Sequence, residues 1–128
     1  MTEITSNVNW IAVIVGAVIA FIAGWAWYSP MLFGKQWAAG NGVALGSAQS
    51  MPMGAMATQA IGLLLVSWFV GVTAAGNMLW TFILAVIAFG VMQASGAMFV
   101  KKPQNVVLID FGYLIVSALI MFIVQAIL

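Results

Sequence analysis

Asn9-Trp10-Ile11-Ala12-Val13-Ile14-Val15-Gly16-Ala17-Val18-Ile19-Ala20-Phe21-Ile22-Ala23-Gly24-Trp25-Ala26-Trp27-Tyr28 carries no charged side chain. As a helix rising about 1.5 Å per residue it reaches roughly 30 Å, the thickness of a bilayer's hydrocarbon core. Ser29-Pro30 ends it, because proline has no N–H for the ladder and disfavours helix at the residue before it. Outward from this stretch the same pattern repeats. Only Glu3, Lys35, Lys101, Lys102 and Asp110 are charged among 128 residues. Further apolar runs predict spans over residues 53–75, 78–99 and 106–127 in addition to 9–28. The expected fold is all-α: a single transmembrane domain over residues 1–128, an integral membrane four-helix bundle.

Met1 to Asn9 contains an acid and no basic residue, and aromatic rather than small residues follow the apolar run. A cleavable signal peptide wants the opposite, so the first run is expected to be a retained span. The connector over residues 30–52 opens with Met31-Leu32-Phe33-Gly34-Lys35-Gln36-Trp37, too apolar for a free loop, and is expected to lie in the headgroup region. Ala75-Gly76-Asn77 reads as a tight turn. Lys101 to Asn105 reads as another, with Asn105 as N-cap of the last span.

All three lysines fall on one side of this topology. The positive-inside rule makes that side cytoplasmic and places both termini on the non-cytoplasmic side. Trp25, Trp27, Tyr28 and Trp37 are then anchors at the inner interface, and Trp10 and Trp80 at the outer one.

The composition excludes much chemistry. There is no Cys and no His, so thiol nucleophiles, thiolate metal sites and the commonest general base are absent from the chain. Glu3 and Asp110 are its only acids, and the predicted topology separates them. The expected protein is not an enzyme and has no cofactor and no metal. A net charge of +1 offers nucleic acid no basic patch. Met51-Pro52-Met53-Gly54-Ala55-Met56 has thioether spacing of the kind that suits copper(I), but methionine is the ordinary gap-filler of apolar cores.

Ala12, Gly16, Ala20 and Gly24 form a small-residue stripe along the first span, a device for close helix packing in lipid. Ser67, Gly71 and Ala75 repeat it, and Gly90, Ala94 and Ala97 give a weaker version. Such stripes can face inward or toward another subunit. Polar groups within the spans need partners. Depth along the helices suggests a cluster of Tyr28, Lys35, Gln59, Gln93, Asp110 and Tyr113, with Ser117 following on the same side of the last span. It either locks the bundle or handles a proton or substrate. One expected contact is a Lys35–Asp110 ion pair.

Trp27-Tyr28-Ser29-Pro30-Met31-Leu32-Phe33-Gly34-Lys35-Gln36-Trp37 resembles the W-Y-S-P-x-x-F-G-K-x-W hallmark of a family of small bacterial membrane proteins known only as a domain of unknown function. Asn9-Trp10 and Asp110-Phe111-Gly112-Tyr113 extend the resemblance. It implies four spans and supplies no activity. Trp27, Tyr28, Ser29, Pro30, Phe33, Gly34, Lys35 and Trp37 are its candidate structural motif. Two functions fit. One is a structural or accessory subunit of a respiratory or photosynthetic complex in the bacterial inner membrane, partnered by lipid and by other subunits or further copies. The alternative is a small homo-oligomeric transporter or channel using Asp110.

Overall fold

A computed structural model describes residues 2–42 and 53–128. The helices are α1 (Thr2–Thr5), α2 (Trp10–Trp27), α3 (Gly34–Asn41), α4 (Met53–Ala75), α5 (Leu79–Phe99) and α6 (Gln104–Ile127). Four of them, α2, α4, α5 and α6, are long and apolar enough to cross a membrane. The protein is a multi-pass, all-helical membrane bundle.

Each boundary has a local cause. The Asn9 side chain accepts from the Ala12 N–H at 3.1 Å and caps α2, satisfying one of the donors that a helix start leaves orphaned. At the other end, Ser29 Oγ donates to Ala26 O at 2.7 Å. The Phe33 and Gly34 amides donate back to Trp27 O and Ser29 O, so the chain turns without leaving its backbone polar groups bare. Asn77 takes a left-handed conformation (φ 54°) between α4 and α5, and Met78 N–H donates to Thr73 O at 2.8 Å. Lys101 does the same after α5 (φ 60°), with Lys102 N–H on Ala97 O at 3.0 Å. This is the closure usually given to glycine.

One sequence expectation needs correction here. Asn105 is not the cap of α6: Pro103 is extended (φ −57°, ψ 150°) and its carbonyl already accepts from Val106 and Val107. Asn105 therefore sits inside the first turn. The connector over residues 30–52 is described only in its first part. That part is a turn followed by α3, while residues 43–52, including Met51 and Pro52 of the methionine run, lie outside the described residues.

The small-residue stripe of α2 points inward. Ala12 and Ala20 are 1% and 0% exposed, and Gly16 and Gly24 are buried. A Cβ on Gly16 would meet Ser67 Oγ at 3.0 Å and Met121 at 3.5 Å, so α2 packs closely on both α4 and α6. Ser67 Oγ donates to Val13 O at 2.6 Å across that contact, an interhelical bond of the kind that contributes about 0.6 kcal/mol on average in lipid. Ala20, Leu63, Val70, Phe82, Ala118 and Met121 form the core. Helix α5 is the peripheral span, reaching the core through Phe82, which stacks on Phe122 at 5.8 Å, and through Gly90, which lies against Phe111.

The Ser117 hydroxyl is buried and has no hydrogen-bond partner among the described residues. An orphaned buried hydroxyl is a liability. We expect Ser117→Ala to leave the bundle as stable or to stabilise it by up to about 1 kcal/mol, read by denaturant titration in mixed micelles.

Candidate functional site

The aromatic-proline segment ends α2, turns, and lays α3 against the first half of α6. Three glycines make this approach possible. A Cβ on Gly40 would collide with Val106, one on Gly112 would meet the Trp27 ring at 2.9 Å, and one on Gly34 would strike backbone atoms of Tyr28 and Ser29.

Asp110 is where these elements converge. Its Oδ1 accepts from Tyr28 OH at 2.5 Å and from Trp37 Nε1–H at 3.0 Å. One carboxylate oxygen thus joins the end of α2, α3 and α6. One helical step away, Trp27 Nε1–H donates to Ile109 O at 3.0 Å. Tyr113 OH, one turn further along α6, donates to Ala20 O at 2.8 Å. A Cβ on Gly24 would stand 2.5 Å from that hydroxyl, so the glycine is the space that Tyr113 occupies. The rings reinforce the lattice: Tyr28 meets Trp37 at 5.4 Å and Tyr113 at 5.5 Å, both edge-on, and Trp27 meets Phe33 at 4.6 Å. Such pairs contribute roughly 0.5–1.5 kcal/mol beyond burial. At the solvent end Lys102 Nζ donates to Asn41 Oδ1, and Asn41 Nδ2 donates to Trp37 O at 2.8 Å.

The structure therefore brings together Tyr28, Asp110 and Tyr113 of the expected cluster and adds Trp27 and Trp37. It leaves out Lys35, Gln59 and Gln93, all three exposed. The expected Lys35–Asp110 pair does not form among the described residues: Lys35 is exposed, and the partners of Asp110 Oδ1 are Tyr28 and Trp37. Ser117 shares the inner face of α6 but bonds to none of the cluster.

Trp27 and Trp37 carry more than their reading as interface anchors: both direct an indole N–H onto α6. Trp25 is 71% exposed. One residue was missed altogether. Trp68 Nε1–H donates to Ile4 O at 2.7 Å and its ring meets Trp10 at 5.4 Å, holding α1 on α4 at the far end of the bundle. A tryptophan seven residues inside the end of a span was the available signal, since an indole N–H at that depth needs an acceptor.

Chemically, a carboxylate clasped by two neutral donors and surrounded by rings is an acceptor that fixes geometry. Two lateral cavities among the described residues, one lined by Val70, Thr73, Asn77, Phe82 and Gln125 and one by Val91, Ser95, Met98 and Phe111, have no ionisable side chain in their lining and are not lined by Asp110.

A family model described as "Protein of unknown function (DUF1761)" matches residues 11–126. No curated protein and no solved structure matches the chain.

Proposed function

The chain belongs to the DUF1761 family of proteins of unknown function, and from that premise we propose that it is a non-catalytic structural subunit packing within a larger assembly of the bacterial inner membrane, respiratory or photosynthetic. The observation that carries this reading is the use made of Asp110. It is the one Asp, Glu, Lys or Arg within the four spans, and one of its oxygens is taken up by Tyr28 and Trp37. Intramembrane acids are costly and usually mark transport pathways; this one is committed to joining three helices. A bundle whose polar residues serve its own shape, and whose α5 stands at its edge, suits a packing role. With Lys35, Lys101 and Lys102 at one end, we place that end in the cytoplasm and both termini outside.

The experiment is a mild-detergent purification of the tagged protein from its own membranes, with mass spectrometry of what accompanies it. One stoichiometric complex with other membrane subunits is expected. A homogeneous particle containing this chain alone would overturn the accessory role and favour the transporter reading.

A further inference from the structure

Gln59-Ala60-Ile61-Gly62 of α4 and Gln93-Ala94-Ser95-Gly96 of α5 share one pattern, an amide followed three residues later by glycine. Both amides lie six residues inside the lysine-bearing end of their helix, since α4 begins at Met53 and α5 ends at Phe99. That is about 9 Å from the helix end for each, a depth that a bilayer centred on these spans fills with acyl chains. Their faces are defined by residues seven positions away, two helical turns along the same side. Gln59 shares a face with Val66, and Gln93 with Val86. Val66 and Val86 both pack against the core cluster.

Packed along their whole length, α4 and α5 would therefore cover both amides. Instead Gln59 and Gln93 are exposed, and a Cβ on either Gly62 or Gly96 would meet nothing within 4 Å. At this end α4 and α5 each present an exposed amide, without a hydrogen-bond partner among the described residues, beside a glycine with open space around it. Amides left unpaired in hydrocarbon are strongly disfavoured. Acyl chains offer them no bond. Glycine beside an amide favours the close approach of another helix backbone.

We propose that this face is the dimerisation surface of the protein, and that its occupant is a second copy of the same chain. The hydrogen-bonding complementarity is internal. An amide is both donor and acceptor, and a two-fold axis along the membrane normal keeps every residue at its own depth. In such an isologous contact each residue's partner is exchanged reciprocally. Gln59 then pairs with Gln93 of the partner subunit, Gln93 pairs with Gln59 of the partner subunit, and Gly62 and Gly96 let the four helices close. The dimer goes beyond the packing role proposed above and does not depend on it, because two copies can associate inside a larger assembly or alone.

The absence of cysteine makes the test clean. Gln59→Cys and Gln93→Cys variants carrying different tags are co-expressed and oxidised in native membranes, with Ile22→Cys, on the exposed side of α2, as the control. The expected result is a covalent dimer bearing both tags, formed at least tenfold more than with the control. A Gln59→Leu/Gln93→Leu protein should keep its thermal unfolding and show at least a tenfold weaker self-association by energy transfer in liposomes. Cross-linking to a different protein, or thiols that react with maleimide but never cross-link, would overturn the proposal. So would undiminished association of the double leucine variant. Loss of the large complex on purification with the cross-link retained would overturn only the accessory role.

Discussion

Asp110→Ala is expected to destabilise the bundle by about 3 kcal/mol, while Asp110→Asn costs no more than about 1 kcal/mol. The difference follows from which atom does the binding. Both donors, Tyr28 OH and Trp37 Nε1–H, converge on Oδ1 alone. The carbonyl of an asparagine has two lone pairs and can take both bonds, each somewhat weaker for want of charge. Alanine removes the acceptor and leaves a phenol and an indole N–H without partners in an apolar setting. Denaturant titration in mixed micelles reads the pair. The same two variants bear on function, since a proton-coupled transporter using Asp110 would lose transport with asparagine whatever its stability. Equal losses for Ala and Asn would mean that the charge itself, rather than a hydrogen-bond acceptor, holds the site.

Gly34→Ala should be as damaging, at about 3 kcal/mol, the upper end of what overpacking costs. The atoms in the way are the carbonyl of Tyr28 and the carbonyl group of Ser29, the latter at 2.7 Å. Backbone cannot step aside as a side-chain tip can. The Gly34 amide also donates to Ser29 O at 2.9 Å, so displacing the new methyl opens the turn itself. The consequence should spread: α3 would lift from α6, releasing Trp37 from Asp110. A red shift and easier quenching of tryptophan emission, accompanying the loss of stability, are the expected signature. A comparable substitution at Gly54, where a Cβ meets nothing within 4 Å, should be silent.

The four spans were legible because charge and punctuation mark their limits. Ser29-Pro30, Ala75-Gly76-Asn77 and Lys101-Lys102-Pro103 each stop a helix for a local reason, and the predicted limits agree with the helices to within two residues. Position along a helix was legible too, since it is only a count of residues from a helix end. What the chain does not declare is azimuth. Gln59, Gln93 and Asp110 each stand six residues from a helix end, yet Asp110 is bonded to Tyr28 and Trp37 while the glutamines are exposed, because coverage depends on which helices pack at that level. The inward bonds of Trp27 and Trp37 were not legible for a related reason. An aromatic at a span's end has the same sequence signature whether it floats at the interface or donates inward, and the acceptors, Ile109 O and Asp110 Oδ1, lie 82 and 73 residues away. The Ala12–Gly24 stripe announced a close helix contact, and only the fold showed that α4 and α6 make it.

The docking of the aromatic-proline segment through Asp110 is most directly read at the Trp37 indole N–H. With the protein in micelles and its tryptophans labelled with nitrogen-15, that proton should exchange with solvent slowly. Exchange should stay slow in Asp110→Asn and become fast in Asp110→Ala, with the indoles of Trp25 and Trp80 unchanged throughout. A Trp37 indole that exchanges as fast in the unmutated protein as in Asp110→Ala would contradict the account.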